Sequence, residues 1–270
     1  MKTINTFIAI TASLITLTNA QTLSIKGSDT LGAKLVPQLA EAFKSAGSKG
    51  VKFEIAAEGS STAFPALANG TAQIGMSSRK IKDDERTFCR TKGVYIKEHP
   101  VCHDMICVIV NKSSPLSSLT KAQVAKIFTG QVKDWSEIGG SPGPISIYTR
   151  NTSSGTYKDW QKLAMGGRDY PSSSQKLAGN EQIAQEVAKN KNGIGYVGLA
   201  YAKTPGTKTL VIDGIEPVAQ NAKKYPYARL CYLYAPDKPS PEAAAFMTFI
   251  ESPAGQNVVS KVGFIPVKDL

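Results

Sequence analysis

The sequence predicts an α/β protein with mostly parallel strand pairing, and three observations carry that expectation. Strand-like and helix-like segments alternate along most of the 270 residues, the order that builds a parallel sheet covered by helices. Several strand candidates end in short turns of Gly, Ser and Thr that open directly into helices. The composition, 41% hydrophobic and 20% charged, is that of a globular chain able to bury a core without disulfide staples. The length suits one large domain or two small ones.

The elements follow in order. Thr22 to Lys26 reads as a short strand running into Gly27-Ser28-Asp29-Thr30. Leu31, Leu35, Leu39 and Phe43 then recur at helical spacing, with Val36 and Ala40 beside them; Pro37 is tolerable only near that helix's first turn. Val51 to Ala56 is a second strand, followed by Glu58-Gly59-Ser60-Ser61-Thr62 and a short helix from Ala63 to Ala68. Ala72 to Met76 is a third strand, ending at Ser77-Ser78-Arg79, and Met105 to Val110 is a buried one. Thr120 is placed to cap a helix through Phe128. Pro144 to Tyr148 is a strand ending in Thr149-Arg150, and a helix runs from Tyr157 to about Met165. Glu181 to Lys189 is helical, Gly193 to Val197, Thr209 to Ile212 and Arg229 to Tyr234 are strands, and Pro241 to Ile250 is a helix. No internal repeat or low-complexity segment interrupts this order.

The N-terminus has a different character. Lys2 precedes an apolar stretch from Phe7 to Leu17, and Thr18-Asn19-Ala20 offers small residues for cleavage before Gln21. Residues 1–20 are therefore expected to be a secretory signal peptide. The stretch is too short and polar to cross a core of ~30 Å. No cysteine follows it, so no lipid anchor is expected, and the cleaved protein should be periplasmic.

The formal charge is +11, or +10 once Lys2 is lost. A basic surface attracts anions, but Lys and Arg are scattered rather than clustered with aromatics. Cys89, Cys102, Cys107 and Cys231 form an even set, which in an oxidising compartment suggests two disulfides with three pairings open. His99 and His103 lie among them, yet the spacing matches no standard zinc pattern. No metal or cofactor is expected.

The chemistry lies in the turns. Ser28-Asp29-Thr30, Ser60-Ser61-Thr62 and Ser154-Gly155-Thr156 each follow a strand and open a helix. Helix N-termini leave N–H groups unpaired and carry partial positive charge, so they receive anions. In open α/β sheets, ligands sit beyond the carboxyl ends of the strands. Each turn alone could be an ordinary cap; three together point to an anion site. They lack the Gly-Lys-Ser/Thr of a P-loop. Arg150 precedes the third turn and can aim a planar fork at an oxyanion, and Arg79 follows Ser77-Ser78 similarly.

These residues carry a resemblance. The stretches IKGSDTLGAKLVPQLAEAFK, AAEGSSTAFPALANGTAQIGMSSRKIKDDE, LTKAQVAKIFTGQVKDWSEIGG, ISIYTRNTSSGTY and NGIGYVGLAYAK resemble, in order, the periplasmic phosphate-binding proteins of high-affinity phosphate ABC transporters, in the subgroup whose first motif reads Gly-Ser-Asp-Thr. The resemblance implies a type II periplasmic-binding-protein fold: two lobes, residues 21–105 with 230–270 and residues 106–229, joined by two crossing strands within Met105–Val110 and Ala228–Tyr234. It implies Cys107 beside Cys231 in those strands, hence the expected pairs Cys107–Cys231 and Cys89–Cys102. It implies phosphate held by Thr30, Leu31, Ser60, Arg150, Ser154, Gly155 and Thr156, with Ser28, Asp29, Ser61, Ser78 and Arg79 around them. Expected partners are inorganic phosphate and ABC-transporter permease subunits, with no nucleic acid, and the protein is expected to act as a monomer.

Two positions depart from the family. Ser78 stands where many members carry a cleft Asp that accepts the proton of hydrogen phosphate, so Asp29, or less so Glu58, is expected to replace that acceptor. Thr152 stands where some members have an acid compensating the clamp Arg, so Arg150 is expected to be less compensated. Competing readings are a binding protein for sulfate, molybdate or tungstate, a secreted phosphatase, or a protein using its basic surface on polyanions. The phosphatase reading lacks a base partner for Ser60 or Ser154.

Overall fold

The computed structural model describes residues 22–269; the expected signal peptide lies outside them. The chain begins with β1 (Thr22–Gly27), a helical turn α1 (Asp29–Gly32) and α2 (Leu35–Ser45). The single helix expected from Leu31 onward is thus two, broken at Lys34, where φ is −130°. Pro37 falls in the first turn of α2, where its missing N–H has no partner to lose. Leu35, Val36, Leu39 and Phe43 of α2 are buried, each contributing about 2 kcal/mol through apolar area removed from water.

Next come β2 (Lys52–Ala56), α3 (Ser60–Ala68), β3 (Ile74–Ser77), α4 (Asp83–Thr91) and β4 (Ile96–Asn111). The second half of the fold adds β5 (Ser118–Leu119), α5 (Lys121–Phe128), β6 (Ser146–Arg150), α6 (Gly155–Leu163), β7 (Gln175–Leu177), α7 (Asn180–Lys189), β8 (Gly193–Gly198), β9 (Thr207–Thr209) and β10 (Val211–Ile212). The chain returns through β11 (Ala228–Pro236), α8 (Pro241–Glu251), α9 (Pro253–Val262) and β12 (Ile265–Pro266). Thr120 caps α5 as expected, its hydroxyl accepting from Gln123 N–H at 3.1 Å.

The strand order β2-β1-β3-β11-β4-β8-β6-β7 passes through both lobes. β1 pairs in parallel with β2 and β3, and β6 with β7 and β8. The long β4 joins the halves: residues Ile96 to Met105 pair antiparallel with β11, and Ile106 to Val110 with β8. β4 extends well before the expected Met105, because Pro100 sits at a register shift opposite Tyr232, where a missing ladder donor is tolerated.

All four cysteines are buried and free, which corrects the expected pairing. Cys107 lies opposite Val197 of β8, past the point where β4 leaves β11, so it does not meet Cys231. Cys231 lies opposite Cys102. Cys89 sits on α4 with its Sγ donating to the Phe64 carbonyl at 3.5 Å, remote from the strand pair. Burial pushes the Cys102 and Cys107 thiols well up.

Candidate functional site

The site is assembled by three chain reversals at strand ends. β1 ends at Gly27 and α1 begins at Asp29; α3 begins at Ser60; β6 ends at Arg150 and α6 begins at Gly155. The opening N–H groups of a helix have no acceptor within it. α3 and α6 are of nine residues each, long enough to present a dipole.

These reversals touch one another. Gly59, the residue before α3, has φ of +127°, and a Cβ there would meet the Ser153 carbonyl at 2.7 Å. Ser61 N–H and hydroxyl both donate to that carbonyl, at 3.1 and 2.8 Å. Ser61 therefore joins the turns. A Cβ on Gly155 would stand 2.7 Å from Ser78 Oγ and collide with Ser60 Oγ, so glycine keeps that space open. Ser78 N–H donates to Ser60 Oγ at 3.1 Å. Thr30 and Thr156 hydroxyl oxygens lie 3.1 Å apart. Ser28, Thr30, Leu31, Ser60, Ser78, Ser154 and Thr156 are all buried.

Arg150 sits at 1% exposure in the middle of these groups. The Tyr196 hydroxyl, on a ring stacked at 4.6 Å on buried Trp160, accepts from Arg150 N–H at 3.3 Å and so fixes the end of β6. Arg150 Nε and Nη2 donate to the Ala178 carbonyl at 3.1 and 2.7 Å. Nη1 is buried with no hydrogen-bond partner, although Asp29 Oδ2 lies 3.2 Å away. Burial lowers the Arg150 pKa, and the Asp29 charge opposes that shift. Nη1 thus keeps hydrogen-bonding capacity for a further acceptor beside its counter-ion.

Three expectations are corrected. Asp29 compensates Arg150, so the clamp is not left without a counter-ion despite Thr152. Its Oδ2 also accepts from Asn180 N–H and Nδ2 at 3.0 and 2.7 Å, and its Oδ1 faces Gly179. Arg79 does not offer a free fork: both Nη atoms donate to Glu85, and Nη1 also to the Lys80 carbonyl at 3.0 Å. Glu58 is exposed, and its carbonyl accepts from Ser153 Oγ at 2.8 Å.

The structure adds four residues that sequence reading missed: Asp104, Asp159, Asn180 and Arg229. Arg229 Nη2 donates to Asp104 Oδ2 at 2.8 Å and to Thr156 Oγ1 at 3.0 Å. Its Nη1 lies 3.5 Å from Asp159 Oδ2. Burial works against the Arg229 charge, but Asp104 and its other neighbours raise its pKa overall. Burial raises the Asp159 carboxyl, with Arg229 opposing. The available signal was a charged residue at the start of an apolar run, Asp104 before Met105-Ile106-Cys107 and Arg229 before Leu230-Cys231. Among the described residues, no three His, Cys, Asp or Glu side chains gather as metal ligands.

Two lobes bridged by β4 and β11, with a buried donor-lined cleft between them, define a solute-binding protein of the periplasmic-binding class. A family model described as a PBP superfamily domain matches residues 15–254. The phosphate-binding protein PstS of Pseudomonas aeruginosa is 37% identical over 270 residues, covering 91% of this chain and 83% of the relative. PstS of Bacillus subtilis is 27% identical, covering 80% of this chain and 72% of that one. A phosphate ABC transporter substrate-binding protein from Clostridium perfringens, solved with bound phosphate, superposes with a TM-score of 0.84 at 31% identity, covering 92% of this chain and all of that one. The chain belongs to the PBP superfamily and, within it, to the PstS family of phosphate-binding proteins. Among the described residues no helix is long and apolar enough to cross a membrane.

Proposed function

We propose that this protein binds inorganic phosphate between its lobes and presents it to the membrane subunits of an ABC transporter. The observation that carries this reading is the buried Arg150, whose Nη1 is ion-paired with Asp29 at 3.2 Å but makes no well-formed hydrogen bond, at the meeting point of three helix-opening turns. The names of the relatives, which describe binding and transport, support it.

In this reading Thr30 and Leu31 offer backbone N–H groups, and Thr30, Ser60, Ser154 and Thr156 offer hydroxyls. Gly155 supplies N–H and space, and Arg150 supplies charge. Asp29 is the counter-ion of Arg150, while Ser78 Oγ is the group left to accept a hydrogen bond from the O–H of hydrogen phosphate. Residues 21–105 with 230–270 form one lobe and residues 106–229 the other. Residues 1–20 direct export and are cleaved, leaving a periplasmic protein without a lipid anchor that acts as a monomer.

Asp29's engagement with Arg150 favours a second reading, a broader oxyanion site. Equilibrium dialysis of phosphate-stripped protein against labelled phosphate, with excess sulfate, separates the two. Retention unaffected by sulfate supports the phosphate site, displacement by sulfate supports the broader one, and no retention in either arm refutes both.

A further inference from the structure

We infer that Arg229 is a positioning residue of the anion site: by donating to Thr156 Oγ1, it obliges that hydroxyl to give its own proton to the bound anion. This rests on the phosphate-binding reading above.

A threonine hydroxyl carries one proton and two lone pairs. Its role toward a ligand depends on which side is already occupied. Thr156 Oγ1 receives Arg229 Nη2 at 3.0 Å, so its lone-pair side is engaged by a charged donor. One proton serves the 3.1 Å contact with Thr30, and Thr156 keeps its own for an anion when that proton comes from Thr30 Oγ1. That oxygen in turn faces Asn180 Nδ2 at 3.4 Å. Asn180's amide orientation is set by Gly198 N–H, which donates to its Oδ1 at 3.0 Å. Ser154 follows the same pattern, its Oγ accepting from Tyr157 N–H at 3.2 Å. Thr156 and Ser154 thus accept from fixed donors at the cradle, Arg229 Nη2 and Tyr157 N–H, and each has its proton available for an anion.

Arg229 is held for this task. It lies opposite Asp104 in the register of β11 and β4, and its side chain is 4% exposed. Asp104 Oδ2 receives its Nε and Nη2 at 3.1 and 2.8 Å, while Asp104 Oδ1 receives Leu199 N–H at 3.0 Å. The guanidinium plane is therefore anchored on the strands that join the lobes, while its Nη2 reaches α6. Without Arg229, the Thr156 hydroxyl is free to turn its lone pairs toward the anion, where they repel it.

The test removes the hydrogen bond without changing the net charge. Arg229→Met combined with Asp104→Asn loses one positive and one negative charge and keeps an acceptor for Leu199 N–H. Phosphate affinity is measured by titration calorimetry in four proteins: wild type, the Arg229/Asp104 pair variant, Thr156→Val, and all three changes together. The expected result is a loss of about tenfold or more for the pair variant, consistent with one hydrogen bond to a charged group. In the Thr156→Val background, the same pair change should cost less than about threefold, because coupled residues are not additive. An equal factor in both backgrounds, or no loss in the wild-type background, overturns the inference. Arg229→Lys enters the same cycle if the pair variant does not fold, with the same criterion. Absence of phosphate binding by wild type defeats the function reading itself, which separates the two failures.

Discussion

The Thr30 and Thr156 hydroxyl oxygens stand 3.1 Å apart although 126 positions separate them in the chain. One belongs to the reversal after β1, the other to the opening turn of α6. The contact measures how closely the lobes approach, and it sets two hydroxyls side by side. Thr30→Val removes one donor with little change in volume. It should weaken phosphate binding by about tenfold, the size of one hydrogen bond to a charged ligand, as read by calorimetry. Unchanged affinity would remove Thr30 from the site.

Gly155 should tolerate no side chain. A methyl there meets Ser60 and Ser78 oxygens, and those groups cannot retreat without disturbing the second turn. Gly155→Ala is expected to lower phosphate affinity by about a hundredfold or more, because a misplacement of ~1 Å at a preorganised site is costly. Thermal scanning of the ligand-free variant should show a much smaller effect.

Asp29 and Arg150 make a different prediction. Removing one partner of a buried ion pair leaves the other charge uncompensated, typically at about 3–5 kcal/mol. Asp29→Asn should therefore lower the melting temperature of phosphate-free protein by roughly 10 °C, at 2–4 °C per kcal/mol for a chain of this size. Phosphate would then replace the missing negative charge. The stabilisation that phosphate gives should be larger in the variant than in wild type, and an equal gain in both would contradict this role for Asp29.

Asp159 gives a pH signature. Burial raises its carboxyl pKa, while Arg229, Arg79 and Lys162 pull it down. The folded protein thus holds this proton to higher pH than the unfolded chain. Its stabilising contribution is full below the unfolded value, about 3.9, and is lost as pH rises through the raised folded value. Asp159→Asn removes the titration. The melting temperature of the variant relative to wild type should climb with pH across that window and then level off. A flat or falling difference would contradict the assignment.

Much of this was legible in the sequence because the signals were local. The alternation of strands and helices, the Thr120 cap, and the hydroxyl-rich turns with Arg150 at a strand end all depend on residues near one another. α4 and α9 were hidden by weak apolar patterns, although Asp83-Asp84-Glu85 in one first turn and Pro253 after Ser252 in the other mark helix starts. Partnership across the fold was not legible. That Asp29 would reach Arg150 and Asn180, and that Cys231 would face Cys102 rather than Cys107, depend on strand register and lobe closure. The shift at Cys231/Tyr232 is one such detail, and no periodicity announces it.

Arg150 supplies the charge on which anion binding depends. Calorimetric titration of phosphate into stripped wild type and Arg150→Met, side by side, tests it most directly. One-to-one binding is expected in wild type and a loss of at least about a hundredfold in the variant, the scale of a buried charge-assisted pair. Comparable affinity in the two proteins would contradict it.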